Sequence, residues 1–80
     1  MNEKQFREKS IRFTTLINVI KYCALTRTDN FNFRTAGKIL GVSPDFLRHW
    51  NNENLALINA TWKTYGNEIQ EEINKLRSES

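Results

Sequence analysis

The sequence predicts an all-α protein, a small bundle of four to five helices that ends in a long C-terminal helix. Apolar residues recur three and four positions apart through most of the chain, which is typical of amphipathic helices. Residues that cap or stop helices separate these stretches. With one proline and three glycines among 80 residues, no linker divides the chain, so we expect one domain over residues 1–80.

Composition restricts the class of protein. The chain contains one cysteine, Cys23, so it forms no internal disulfide, and this cysteine usage fits a reducing compartment such as the cytoplasm. No apolar run is long enough to span a membrane and no signal-peptide pattern opens the chain, so we expect no membrane partner. A chain this short buries only about 60% of its unfolded surface, and dimerisation would help to stabilise its thin core.

Positive charge is concentrated in the first part of the chain. Residues 1–52 contain nine lysines and arginines against four acidic residues, a net charge of +5, whereas residues 53–80 have a net charge of −2. A basic stretch of this kind favours a polyanionic ligand, although a basic isoelectric point alone does not identify one.

A leading helix is expected within residues 1–30, over residues 3–25. Its apolar stripe consists of Phe6, Phe13, Leu16, Ile17, Ile20, Cys23 and Ala24. Residues 26–32 contain Asp and Asn and lack periodicity, which predicts a loop. Asn32 is then placed to cap the next helix, and Phe31 or Phe33 to fill the gap beside the leading helix.

Residues 33–52 predict two short helices joined by a tight turn. Ala36, Ile39 and Leu40 give the first helix an apolar face. Leu47 and Trp50, three positions apart, give the second helix its inner face.

The turn between these helices has its own pattern. Gly41 can adopt a positive φ and so ends the first helix. Ser43 is a favourable N-cap, and Pro44 follows at the first helical position, where its missing N–H is tolerated. Gly37 falls where the two helices cross, so a side chain larger than methyl there would push them apart. The spacing is that of a helix-turn-helix.

The segment 37–50, GKILGVSPDFLRHW, resembles the DNA-reading segment of the MerR and excisionase-like families. It is similar, more loosely, to the N-terminal domain of TetR-type repressors and to the helix-turn-helix of phage small terminases. The resemblance covers about a quarter of the chain and implies sequence-directed DNA binding. The chain departs from the MerR-type pattern, because residues 1–32 precede the segment and no β-wing is evident after it. It departs from the TetR-type pattern because it has no large ligand domain.

Residues 53–77 are predicted to form one long helix, capped by Asn52 or Asn54. Its apolar positions approach a heptad seam: Leu55, Ile58, Trp62, Tyr65, Ile69, Ile73 and Leu76. Gly66 weakens this helix by about 1 kcal/mol relative to alanine. We expect its first half to pack on the two short helices and its second half, residues 68–76, to project and pair with another copy in a homodimer. Residues 78–80 are expected to be disordered.

No catalytic, metal or cofactor site is predicted. His49 is the only histidine and Cys23 the only cysteine, and they lie on different predicted helices, so they cannot assemble a metal cluster. Cys23 lies on the apolar stripe, as expected for an inert core thiol. Since no Gly-rich phosphate loop and no set of nucleophile, base and pocket is evident, we expect a protein that is not an enzyme.

The second short helix, residues 44–52, is predicted to enter the major groove of double-stranded DNA with its N-terminal half leading. Arg48 is the best candidate for bidentate contact with guanine, and Asn51 or Asn52 for adenine. Asp45 would accept a hydrogen bond from cytosine or favour the helix N-terminus. His49 also faces outward. For each of these residues the alternative is a solvated surface side chain.

Further residues are predicted to contact phosphates, which adds affinity but no sequence information. They are Arg34, Thr35, Lys38 and Ser43. Phe46 either covers the edge of the core or meets thymine methyl groups.

These observations favour a small bacterial or phage-type transcription regulator, a dimer that binds a short palindrome with half-sites about one helical turn apart. One alternative is a DNA-packaging or recombination accessory factor, like a small terminase or an excisionase, that acts in a larger assembly. Another is a helical protein-interaction module that docks through the seam of residues 55–76 and does not contact DNA.

Overall fold

The computed structural model of the protein describes residues 3–79, with the backbone alone at residue 79. These residues form six helices: α1 (Glu3–Phe13), α2 (Leu16–Leu25), α3 (Phe33–Leu40), α4 (Pro44–Glu53), α5 (Leu55–Thr64) and α6 (Gly66–Glu79). No strand occurs among them, so the all-α class is confirmed, whereas the expected number of four to five helices is wrong. None of these helices combines the length and apolar character needed to cross a lipid bilayer.

The predicted leading helix is divided into α1 and α2 at two threonines. The Thr14 hydroxyl donates to the Ser10 carbonyl oxygen at 2.5 Å. The Thr15 hydroxyl accepts from the Asn18 backbone N–H at 3.2 Å and caps α2, while the Asn18 amide donates to the Phe13 carbonyl oxygen at 2.7 Å. The Thr15 hydroxyl thus satisfies a backbone N–H in the first turn of α2. Because α1 ends at Phe13 and α2 begins at Leu16, the prediction of a continuous helix over residues 3–25 is wrong.

Helix α2 lies at the centre of the bundle, because α3, α5 and α6 all pack against it. The buried core comprises Phe13, Val19, Tyr22, Cys23, Ala24, Leu25, Ala36, Phe46, Leu47, Trp50, Ile58, Ile69 and Ile73. Cys23 is fully buried here, and this burial raises the pKa of its thiol to about 11. The thiol is therefore protonated at neutral pH, as expected for an inert core residue.

The loop over residues 26–32 is confirmed, and Phe31 anchors it. The Phe31 ring contacts the Tyr22 ring at 6.1 Å and the Phe33 ring at 5.5 Å, both edge to face. Both phenylalanines therefore help to fill the gap between α2 and α3, where one was expected to do so.

Helices α3 and α4 form a hairpin, here called the α3–α4 hairpin (residues 33–53). Its caps and its turn are those predicted, and α4 ends one residue later than predicted, at Glu53. Asn32 caps α3 by accepting from a first-turn backbone N–H at 2.7 Å. Gly41 ends α3 with a φ of 77°. Ser43 caps α4 by accepting from the Phe46 backbone N–H at 3.1 Å, and Pro44 occupies the first position of α4. Each of these signals acts within one helical turn, so it does not depend on the rest of the fold.

The predicted long C-terminal helix is wrong, since it is divided at Tyr65 into α5 and α6. Gly66, a poor helix former, begins α6, and the change of direction brings α6 back against α2. Ile69 and Ile73 are consequently only 0% and 6% exposed within a single chain. The second half of this segment therefore does not project, and these residues are not free to form a seam between two copies. The homodimer itself stays a prediction.

Other expectations about single residues are also corrected. Ile39, predicted on the apolar face of the first short helix, is 54% exposed, and Ile17 of the leading stripe is 66% exposed. The break before α2 rotates its buried side toward Val19 and Tyr22, which leaves Ile17 at the surface. Ser78 lies in α6 rather than in a disordered tail, while residue 80 lies outside the described residues.

Candidate nucleic-acid interface

Helix α4 has a buried side and an exposed polar side. Successive residues of an α-helix are rotated by about 100°. Phe46, Leu47 and Trp50 share one side of α4 and are at most 2% exposed. The opposite side carries exposed polar residues, here called the α4 strip: Asp45, Arg48, His49 and Asn52. The predicted orientation of Leu47 and Trp50 is confirmed, and Phe46 belongs to the core.

The rotation of α4 is fixed by contacts with α1, α2 and the residues between them. The Trp50 ring contacts the rings of Phe13 and Tyr22 edge to face, with centroid distances of 5.1 and 5.3 Å. Its indole N–H donates to the Thr14 hydroxyl at 2.9 Å. The Tyr22 hydroxyl donates to the Asn51 amide oxygen at 2.7 Å. These directional contacts hold the α4 strip toward solvent.

Asn51 takes part in this packing, while its predicted role in reading adenine stays a prediction. Its side chain is half-buried and its amide oxygen is occupied by Tyr22. Asn51 follows the buried Leu47 by one helical turn, which places it at the inner edge of α4. Asn52, one position further along the helix, is exposed and is therefore the more accessible of the two candidates for contact with adenine.

Arg48 lies between a carboxylate and an aromatic ring. Its Nη1 atom is 3.5 Å from Oδ1 of Asp45, and the two side chains are 61% and 94% exposed. On another side, its guanidinium carbon lies 5.6 Å from the centroid of the Phe33 ring. The guanidinium is thus accessible to a ligand and has a neighbour on each of two sides.

His49 lies at the border between the α4 strip and α1. Its imidazole contacts the Phe6 ring edge to face at a centroid distance of 4.2 Å. Its Nε2 atom lies 4.0 Å from Oε1 of Glu53, one turn further along α4. The ring is therefore turned toward α1, although the side chain is 59% exposed.

The outer surface of α3 adds basic side chains to this region. Arg34, Thr35 and Lys38 are all exposed, and Arg34 and Lys38 are one helical turn apart. Arg34 and Arg48 line the same shallow groove, so the basic surface of α3 adjoins the α4 strip. Ser43 is exposed as well, but its hydroxyl oxygen already accepts the capping hydrogen bond of α4.

Lys9 is a basic residue at this surface that the sequence reasoning missed. Its ammonium group lies 5.0 Å from the centroid of the Phe46 ring, in the first turn of α4. Phe6, which contacts the same ring at 5.4 Å, precedes Lys9 by three residues and so shares its side of α1. The spacing of Phe6 and Lys9 was the sequence signal that could have identified Lys9. It could be interpreted only once the packing of α1 on α4 was known.

The region offers hydrogen-bond donors and acceptors on exposed side chains of α3 and α4. Among the side chains that the structure describes, residues 3–78, no group of three or more His, Cys, Asp or Glu is placed to hold a metal ion. These side chains can recognise a ligand through charge and hydrogen bonds.

Comparisons of this chain with known protein families, with curated proteins and with solved structures find no match. The resemblance of residues 37–50 to DNA-reading segments therefore stays a prediction. What this surface can bind is inferred from its own geometry: a fixed polar strip on α4 beside a basic face on α3.

Proposed function

We propose that the α3–α4 hairpin is a helix-turn-helix that binds double-stranded DNA, with α4 in the major groove. The observation that carries the proposal is the α4 strip, which lies opposite the buried Phe46, Leu47 and Trp50. A major groove about 12 Å wide admits one α-helix, and side chains of the types found in the strip match the donors and acceptors of base edges.

Each side chain of the strip has a distinct role in this proposal. Arg48 donates to the O6 and N7 atoms of guanine, and Asn52 pairs with adenine. Asp45 accepts from an amino group of cytosine or adenine, and His49 contacts the edge of the site beside α1. The basic residues around the strip contact phosphates: Lys9, Arg34 and Lys38.

The biological role proposed for this binding is that of a small transcription regulator, acting as a homodimer on a palindromic site. A packaging or recombination factor would use the same contact with DNA in a larger assembly. The interaction-module hypothesis receives less support, because it requires the seam of residues 55–76. Three residues of that seam are buried within the chain: Ile58, Ile69 and Ile73.

Binding to duplex DNA should depend strongly on salt, and this dependence tests the basic surface. The logarithm of affinity is expected to fall with the logarithm of salt concentration by about 0.9 for each phosphate neutralised. Lys38→Ala should reduce that slope by about 0.9. The measurement is fluorescence anisotropy of a labelled random-sequence duplex in a salt series.

The matched control for this experiment is Lys63→Ala, which removes the same charge from an exposed position on α5. It should leave the slope unchanged. A wild-type affinity that does not vary with salt, or an equal loss of slope in both variants, would contradict DNA binding through the α3–α4 hairpin.

Arg48→Ala should weaken binding to a preferred site by about 1–3 kcal/mol and remove the preference at one base pair. The preferred site is found by selecting bound sequences from a random duplex library, first with the wild-type protein and then with the variant. Because the Arg48 side chain is largely exposed, the thermal midpoint of unfolding should hardly change.

Arg48→Lys is the matched control, because it keeps the positive charge and loses the planar fork. It should weaken the base preference, because lysine lacks the planar fork, while keeping most of the affinity for random duplex. If Arg48→Ala selects the same sequences as the wild type, Arg48 does not read a base. If it unfolds the protein, the assigned exposed side of α4 is wrong.

A further inference from the structure

We propose that Asp45 is a specificity-determining residue of the α4 strip. Its carboxylate orients the Arg48 guanidinium toward a guanine and, through its negative charge, weakens binding to DNA of any other sequence. The target implied is a duplex with a G·C pair at the position that Arg48 reads. This inference rests on the proposed function, since it concerns how that same surface discriminates between sequences.

The geometry of the pair points to orientation rather than to fold stability. Asp45 Oδ1 and Arg48 Nη1 are 3.5 Å apart on the surface, and the Asp45 side chain is 94% exposed. Exposed ion pairs of this kind contribute little to folding. The Phe33 ring, 5.6 Å from the guanidinium carbon, limits the movement of Arg48 on another side. A long side chain that is restricted before binding loses less conformational entropy when it binds.

The donor inventory of Arg48 leaves room for the base. A guanidinium carries five N–H donors in a planar fork. The contact with Asp45 involves one terminal nitrogen, so other donors remain for O6 and N7 of guanine. Arg48 is the one arginine of the α4 strip. His49, the other side chain of the strip that can carry positive charge, is turned toward Phe6 and Glu53. The strip therefore matches one guanine rather than a run of them.

The negative charge of Asp45 weakens binding to a duplex that lacks the preferred bases. Every duplex presents phosphates, and an exposed carboxylate at the binding surface is repelled by them whatever the sequence. In the major groove, the carboxylate can accept a hydrogen bond from the amino groups of cytosine and adenine, but not from guanine O6 or thymine O4. Asp45 thus lowers the affinity for DNA of any sequence. This loss is compensated only at a site whose bases form hydrogen bonds with both Asp45 and Arg48.

The experiment compares Asp45→Asn with Asp29→Asn, two substitutions that remove one negative charge from exposed positions. Asp29 lies in the loop between α2 and α3, beside the C-terminal part of α6, and lines a surface groove that does not include Asp45. The probes are the duplex enriched by the wild-type protein and a random-sequence duplex, each titrated at the same salt concentration. The quantity compared is the affinity ratio, which is the affinity for the enriched duplex divided by the affinity for the random-sequence duplex.

Asp45→Asn should tighten binding to the random duplex by about two- to fivefold, because the repelling charge is gone. It should lower the affinity ratio by about two- to fivefold, because Arg48 is no longer oriented. Asp29→Asn should leave the ratio unchanged. In an Arg48→Ala background, Asp45→Asn should no longer reduce the preference for the G·C pair, since there is no guanidinium to orient.

The outcomes separate this inference from the proposed function. If Asp45→Asn retains the wild-type ratio, or matches Asp29→Asn, the role of Asp45 is excluded while DNA binding stands. If Asp45→Asn still reduces the preference for the G·C pair in the Arg48→Ala background, the orienting role is excluded. If the wild-type protein enriches no sequence and shows no salt-dependent binding, the proposed function itself fails.

Discussion

Trp50→Ala is expected to lower the free energy of unfolding by about 3–5 kcal/mol, as large-to-small substitutions of buried aromatic residues do. Trp50 is fully buried and its ring contacts the rings of Phe13 and Tyr22. The substitution also removes the hydrogen bond that the Thr14 hydroxyl oxygen accepts from the indole N–H. Since these contacts join α4 to α1 and α2, their loss removes packing at the place where three helices meet.

The magnitude matters because the protein is small. A domain of 80 residues has a free energy of unfolding of about 4–12 kcal/mol, so this one substitution removes a large share of it. The measurement is chemical denaturation followed by circular dichroism. Trp50→Phe should cost less, because it keeps an aromatic ring and loses only the N–H donor and part of the volume.

Trp62→Ala is the matched control for Trp50→Ala. Trp62 is only half-buried, and its ring receives the Arg27 guanidinium 4.7 Å from its centroid. It should cost clearly less than Trp50→Ala, since much of its surface is already in water. Equal losses for the two tryptophans would mean that Trp50 is not at the centre of the core.

Features encoded within one helical turn could be predicted from the sequence. Asn32, Gly41 and Ser43 end or begin helices through their own side chain or backbone freedom, and the structure has each in the predicted role. The inward orientation of Leu47 and Trp50 follows from a spacing of three residues, which the helix fixes without help from other elements.

Helix length could not be predicted from the same patterns. The apolar stripe of residues 3–25 continues through Thr14 and Thr15, and the heptad-like seam continues through Tyr65, yet the helices break at these points. A periodic pattern shows which side of a helix is apolar but not where the chain changes direction to bury that side. Packing of α6 on α2 decides the second break, and that contact joins residues far apart in sequence.

For the candidate site, too, features that depend on α4 alone could be predicted, whereas contacts with other helices could not. The outward orientation of Asp45 and Arg48 depends on the rotation of α4 alone. The placement of Asn51 depends on the Tyr22 hydroxyl, and that of His49 depends on Phe6. Neither partner can be identified from the residues of α4. The burial of Ile69 and Ile73 against α2 likewise replaced the expected dimer seam with core packing.

Gly37→Ala is expected to lower the free energy of unfolding by about 1–3 kcal/mol, although alanine is the better helix former. A Cβ atom on Gly37 would lie 2.5 Å from the carbonyl oxygen of Val42 and 3.5 Å from the nitrogen of Pro44. Both are backbone atoms, one in the segment that connects α3 to α4 and one in the first residue of α4, so no side-chain rotation relieves the contact. The two helices must move apart, and even a methyl group is too large at this crossing.

The other two glycines provide controls for this prediction. Gly66→Ala meets no atom within 4 Å, so it should be neutral or stabilise α6 by up to about 1 kcal/mol. Gly41→Ala is also free of contacts but keeps a φ of +77°, which should cost about 1–2 kcal/mol through backbone conformation alone. Thermal and chemical unfolding of the three variants should therefore rank Gly66→Ala as the most stable.

The Gly37 variant also connects the fold to the proposed function. A wider crossing changes the position of α4 relative to the basic residues Arg34 and Lys38 on α3. Among variant molecules that remain folded, the preference for the selected duplex should fall more than the affinity for random duplex, because base contacts need closer positioning than phosphate contacts. A Gly37→Ala protein as stable as Gly66→Ala, with wild-type DNA preference, would show that the hairpin tolerates a wider crossing and that its tight turn does not position α4.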